Sequence, residues 1–144
     1  MEIRKASFKD IEAILMLSKA ALTSSVSENW LQDVIRADET YYVFVLVEKK
    51  VVGYLIVWLS LKKGAIIDLV IAEEKRKGGY GKKLLAHGIN FFYSNDVEEI
   101  SLEVKVSNQI ALKLYNQFGF KIIKTLPHYY QQEDGFLMVR RMNK

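Results

Sequence analysis

The sequence predicts a single domain, residues 1–144, of the α/β (α+β) class. A mixed, mostly antiparallel sheet of six to seven strands should carry about four helices on both faces. Three observations lead there. Strand-like and helix-like patterns follow one another in the order β-α-α-β-β-β-α-β-α-β-β. No repeat, low-complexity tract or Pro/Gly/Ser-rich linker divides the chain. Finally, 144 residues with 50% hydrophobic content can bury ~70% of the unfolded surface, enough for a core without disulfides or a metal.

The elements follow from local chemistry. Residues 2–5 read as a short strand. Ser7 with Asp10 three positions on is a capping-box variant that opens a helix. Ile11, Ile14, Leu15, Ser18 and Leu22 share one face of that helix by the i, i+3, i+4 spacing. A Ser-rich turn at residues 23–27 leads to a second helix over residues 30–37, with Leu31, Val34 and Ile35 as its apolar side. Three strands follow at residues 41–48, 51–60 and 65–71. The Lys49-Lys50 connection is so short that the first two must pair antiparallel. Glycines at 78, 79 and 81 introduce a helix to about Ser94, with Leu84, Leu85, Ile89 and Phe92 inward. Residues 97–106 alternate, Leu102, Val104 and Val106 against Ser101, Glu103 and Lys105. Ser107 is placed to cap a last helix whose buried stripe is Ala111, Leu114, Tyr115 and Phe118. Gly119 suits its C-terminal turn. Strands at residues 121–126 and 136–142 close the chain.

Composition removes several functions. With no cysteine there is no disulfide framework, thiol nucleophile, iron–sulfur cluster or Cys-based zinc site. His87 and His128 belong to no ligand cluster, so no metal is expected. The opening MEIRKASFKD mixes both charges and has no signal-peptide core. No apolar run approaches the ~20 residues that span a bilayer, so no membrane partner and a cytoplasmic location are expected. Lys+Arg 21 against Asp+Glu 17 gives +4, an excess that suits a polyanionic small molecule, an acidic peptide or RNA. No aromatic-and-basic stacking platform is present, so nucleic acid is not the expected partner. Monomer and homodimer both stay open.

The segment Arg76-Lys77-Gly78-Gly79-Tyr80-Gly81-Lys82-Lys83 joins an apolar strand to a helix. Glycines let backbone N–H groups approach an oxyanion, and first-turn N–H groups have no partner inside their helix. With the positive end of the helix dipole they make a site for phosphate or pyrophosphate. A Walker A loop does not fit, because Gly81-Lys82 is followed by Lys83 and Arg76 stands where the first glycine belongs. A Rossmann fingerprint would need glycine at Leu84. On composition alone a solvated turn with surface lysines stays open.

Arg76-x-x-Gly79-x-Gly81 at a strand-to-helix junction resembles the acetyl-CoA signature of the GNAT superfamily of N-acetyltransferases. Leu102-Glu103-Val104-Lys105-Val106-Ser107-Asn108, Ala111-Leu112-Lys113-Leu114-Tyr115, Phe118-Gly119-Phe120 and His128-Tyr129-Tyr130 are similar to the RimI-type protein N-terminal acetyltransferases. The resemblance implies a GNAT-like domain using acetyl-CoA as acetyl donor and a protein or peptide N-terminus as acceptor. It implies that Leu69, Val70 and Ile71 offer strand backbone to the pantetheine arm. Arg76, Lys77, Gly78, Gly79, Tyr80, Gly81 and Lys82 would hold the pyrophosphate, and Asn108 would contact the cofactor near its reacting end. Glu103 would be general base, Tyr115 general acid, and Tyr129 and Tyr130 would line the peptide slot. The turn at residues 23–27 lacks the aromatic and proline usual in RimI-type enzymes, so ribosomal-protein specificity does not carry over.

The chemistry needs such groups. A peptide α-amine, at pKa ~7.7–8.0, is partly neutral at pH 7, so a carboxylate such as Glu103 removes its proton without an extreme shift. A phenol at ~10 can serve a departing thiolate whose model value is ~8.5. Without the resemblance, Glu103 reads as a surface carboxylate, Tyr115 as core and Asn108 as a local cap. The alternatives are acetylation of a small-molecule amine or an aminoacyl-tRNA, and a non-catalytic CoA-binding module.

Overall fold

The computed structural model describes residues 1–21 and 26–142. Leu22 and most of the Ser-rich turn of residues 23–27 therefore lie outside the described residues. The apolar stretch from Tyr41 to Ile71 folds as three consecutive strands, β2 (Tyr41–Glu48), β3 (Lys50–Ser60) and β4 (Lys63–Ile71). Ahead of them come β1 (Glu2–Lys5), a 3-10 turn (Phe8–Asp10), α1 (Ile11–Ala21) and α2 (Glu28–Ala37). After them come a second 3-10 turn (Glu73–Lys75), α3 (Tyr80–Ser94), β5 (Glu99–Lys105), α4 (Gln109–Gln117), β6 (Lys121–Tyr130) and β7 (Glu133–Arg141). The strands form one seven-stranded sheet in the order β1-β2-β3-β4-β5-β7-β6. Among the described residues only β4 and β5 run parallel, so the sheet is mixed and mostly antiparallel as the sequence predicts.

Both faces are covered. Leu84, Leu85, Ile89 and Phe92 of α3 and Tyr115 of α4 pack on Leu55, Val57, Ile66, Leu102 and Val104. On the opposite face Ile11, Ile14 and Leu31 of α1 and α2 cover Val43, Val45, Tyr54 and Ile56. Among the described residues no helix is long and apolar enough to cross a membrane.

The sheet is irregular at one position in β4. Ile56 pairs with Asp68 but Val57 with Ile66, so Ile67 is an extra residue in that strand. A β-bulge bends its strand and reverses which side chains face which way beyond it. Accordingly Ile66 belongs to the core under α3, whereas Val70, an even number of positions on, belongs to the core under α1. Parallel pairing of β4 with β5 runs from Lys63↔Glu99 to Ile66↔Leu102 and ends there. Both strands nonetheless continue, β4 to Ile71 and β5 to Lys105. They part at the bulge.

Two expectations are corrected. Ser107 does not cap α4. Asn108 does, its side-chain oxygen accepting from the Ala111 N–H at 3.2 Å, while Ser107 is drawn away by Glu133. And β6 does not stop at Leu126 but runs to Tyr130. It lies at the sheet edge, where Pro127 lacks an N–H that no neighbour needs. The register slips between Leu126 and Tyr130, with His128 at φ 52°.

The entry to α1 is locked by charge. Asp10, 4% exposed, accepts from the Arg4 guanidinium at 2.7 and 3.1 Å and from the Ser7 N–H at 2.8 Å. The Arg4 hydrogen bond, above all, holds the Asp10 carboxyl below its ordinary value. A depressed folded-state value means stability present above the unfolded value and lost as pH falls through the folded one. Urea midpoints should therefore begin to drop near pH ~3.9 and continue below it. Asp10→Asn should cost about 1–3 kcal/mol at neutral pH and flatten that acid limb.

Candidate active site

Beyond Ile66 and Leu102 the separating strands leave a cleft of about 410 Å³, lined among others by Leu69, Glu103, Asn108, Tyr115 and Tyr130. Backbone groups of β4 on this side have lost their β5 partners, which leaves an edge able to pair with an extended ligand. Of the β4 residues named from the sequence, Leu69 and Ile71 pack toward α3, and Val70 turns its side chain to the α1 core.

Elements of both faces line the cleft, Ala21 from α1 and Ala111 and Tyr115 from α4. On β5, Leu102 and Val104 face α3 and α4, so alternation puts Glu103 and Lys105 on the other face. There the slipped end of β6 brings up both tyrosines. Their rings meet edge to face, centroids 5.1 Å apart, and Lys105 Nζ lies 5.5 Å from the Tyr130 ring centre. Hydrogen bonding to Glu103, then desolvation and the carboxylate's charge, pushes the Tyr129 phenol up to about 12. Burial chiefly, then the charges of Glu103 and Glu133, raises Tyr130. Both phenols are hydrogen-bond donors at neutral pH.

Tyr115 approaches from the α4 side, its ring edge-on to Phe120 and its side chain in the cleft wall. Burial, followed by the negative charge of Asp68, pushes the phenol well above its usual value. It stays protonated across the physiological range. Asp68 itself was not singled out from the sequence. It is 8% exposed, lines the cleft and accepts from the Tyr54 hydroxyl at 2.7 Å. A lone carboxylate inside Ile-Ile-Asp-Leu-Val-Ile was the signal available.

Where β4 ends, the chain makes the glycine turn. Among the described residues no main-chain N–H of residues 77–82 donates to a backbone carbonyl; the first bond of α3 is Lys83 N–H to Gly79 C=O, 3.1 Å. Gly79 sits at φ 82°, which glycine alone adopts at little cost. Gly81 differs. A side-chain carbon there would meet Leu114 at 3.7 Å and Ile71 at 4.0 Å, ordinary contacts, so nothing in the protein itself requires glycine. A ligand pressed against that backbone would. The open donors and the helix dipole suit a diphosphate. Arg76, at the turn's start, donates from Nε to the Ile71 carbonyl at 3.2 Å. The Tyr80 side chain points away to Glu48, so only its backbone can serve an anion.

Two supports were also unforeseen. Glu133 accepts from the Ser107 N–H at 3.1 Å and hydroxyl at 2.9 Å, tying the β5–α4 connection to the β6–β7 hairpin. A side-chain carbon at Gly135 would come within 2.8 Å of the Tyr130 ring, so its absence makes room for the tyrosine pair.

Known proteins resemble this chain over most of its length. Residues 8–120 match the model of the Acetyltransferase (GNAT) family, and the chain belongs to that family. An N-alpha-acetyltransferase of Sulfurisphaera tokodaii is 31% identical over 150 residues, 94% of this chain and 90% of that one. A ribosomal protein bS18-alanine N-acetyltransferase of Haemophilus ducreyi is 32% identical over 88 residues, 61% of each. The crystal structure of Ard1 from Thermoplasma volcanium superposes with a TM-score of 0.87 at 27% identity, covering 99% of this chain and 98% of that one.

The contact between Glu103 and Tyr129 is measurable by itself. In Glu103→Gln the Tyr129 phenol should titrate nearer ~10 than about 12, as followed by NMR of tyrosine labelled at Cζ. An unmoved titration would separate the two side chains.

Proposed function

We propose that the protein transfers the acetyl group of acetyl-CoA to the N-terminal α-amine of a protein or peptide. The observation that carries this reading is the cleft between the parted strands, lined by Glu103 from one face and Tyr115 from the other. The names of its relatives, one an N-alpha-acetyltransferase and one acting on a ribosomal protein's alanine, support it. The cytoplasmic location expected from the sequence goes with it.

Each residue has a task. Acetyl-CoA supplies the activated acyl group. Its diphosphate is held by the N–H groups of residues 77–82, with Arg76, Lys77 and Lys82 adding attraction. The β4 edge at residues 69–71 pairs with the amide-bearing arm, and one of its N–H groups polarises the thioester carbonyl. Asn108 spends its side-chain oxygen on α4 and keeps its amide NH₂ for the cofactor. Tyr129 and Tyr130 flank the incoming peptide, and Glu103 takes the proton of its ammonium, directly or through one water. The freed amine attacks the carbonyl carbon to form the C–N bond, the nitrogen gives its second proton to water, which returns one to the Tyr115 oxygen, and the C–S bond breaks as the tetrahedral adduct collapses. Tyr115, kept protonated by burial, donates to the sulfur as charge gathers there. Much of the rate comes from holding two reactants in register.

Incubation with acetyl-CoA and a peptide library should place label on α-amines rather than lysine side chains, as read by mass spectrometry. Label confined to an aminoacyl-tRNA or polyamine pool, or to none, would overturn the reading. Glu103→Gln and Tyr115→Phe should each lower kcat by ~10²–10⁴ while leaving CoA affinity unchanged. Wild-type rates from both would remove these roles. In the wild type, kcat/KM should rise with pH through ~7.7–8.0 as the acceptor loses its proton. A fall due to Tyr115 should come only above ~10, because its shift is upward.

A further inference from the structure

We propose that Glu48, at the tip of the β2–β3 hairpin, is a positioning residue for acetyl-CoA: its carboxylate clasps both ends of the glycine turn and so presets the donors at residues 77–82. The inference rests on the proposal that those donors hold the diphosphate.

The clasp is built from one side chain with two oxygens. Lys75, the last residue before the turn, donates from Nζ to Oε1 at 3.0 Å. Tyr80, the first residue of α3, donates its hydroxyl to Oε2 at 2.6 Å. A single carboxylate thus fixes the distance between the two residues that bracket the turn. Glu48 is itself held. It pairs with Lys50 across a one-residue tip, Lys49 at φ 69°, and the same hairpin adds a Lys50–Glu74 ion pair at 3.7 Å. Behind it the Ala72 N–H donates to the Val52 carbonyl at 2.8 Å, seating the end of β4 on β3. The Tyr80 ring forms a floor under the turn, 3.3 Å from where a Gly78 side-chain carbon would lie.

The turn needs such support. It holds a non-glycine residue, Lys77, at φ 69° two positions before Gly79 at φ 82°, and among the described residues its N–H groups at 77–82 have no backbone carbonyl to keep them aligned. Ordering it before the ligand arrives removes that cost from binding. Charge alone argues the other way, since a carboxylate beside a diphosphate repels it. Here Lys75 offsets the charge, and the Tyr80 hydrogen bond, followed by that of Lys75, holds the Glu48 carboxyl below its ordinary range. The two accounts differ in sign: if Glu48 acts only as a negative charge, its loss tightens CoA binding, and if it acts as a clasp, its loss weakens it.

Calorimetry with CoA and with pantetheine, which lacks the diphosphate, tests this on the full chain. Glu48→Ala and Tyr80→Phe should each weaken CoA binding about five- to tenfold, the net effect of one typical hydrogen bond. The double variant should be little worse than Glu48→Ala alone, because both remove the same contact. Pantetheine affinity should not move. In turnover, the Glu48→Ala loss should appear in KM for acetyl-CoA rather than in kcat. Equal or tighter CoA binding by Glu48→Ala, or an equal loss for pantetheine, would overturn the clasp. Failure of the wild-type chain to bind CoA would overturn the diphosphate reading and the clasp together. Should Glu48→Ala lower the melting temperature, Tyr80→Phe, which deletes one oxygen, carries the test.

Discussion

The parting of β4 from β5 is the constraint on which the remaining structure depends. Adjacent strands of a sheet normally pair along their shared length, because an unpaired buried N–H or C=O is costly. Here pairing stops at Ile66 and Leu102 although both strands continue. The extra residue Ile67 is the cause. It bends β4 away from β5 and turns Asp68 and Val70 toward the α1 face and Leu69 toward the α3 face. The backbone groups it frees become an edge for an extended ligand, and the gap becomes the cleft.

Around that gap the protein sorts its charges by face. Open N–H donors and a helix N-terminus lie on the α3 side, where a diphosphate would be welcome. Carboxylate and phenol lie on the other side, where an ammonium would be. Asp68 sits between, buried in the cleft wall and acting on Tyr115 through space. The supports of these groups are polar and distant in sequence: Glu48 with Tyr80, Ser107 with Glu133. They join segments that hydrophobic packing alone would leave free to slide.

Much of this architecture was legible because hydrophobic periodicity and punctuation agree. β2 matches residue for residue, and the glycine turn, α3 and the α4 stripe lie where spacing put them. The GNAT membership followed from residues 76–81 and 102–120 in order. What stayed hidden has physical reasons. The bulge at Ile67 falls in an apolar run broken only by Asp68, and composition does not mark the extra residue. Pro127 reads as a strand end, and only the position of β6 at the sheet edge makes it tolerable. Ser107 and Asn108 are both good caps, and the choice is made by Glu133, far along the chain. Glu48 is one acid at a hairpin tip until the fold brings Lys75 and Tyr80 to it.

A cleft lined from both faces of the sheet also bears on how turnover finishes. Under the proposed reading, the spent thiol leaves by the α3 side and the modified terminus withdraws by the tyrosine side. Neither product has to wait behind the other, and the bulk of a long polypeptide never has to enter the molecule.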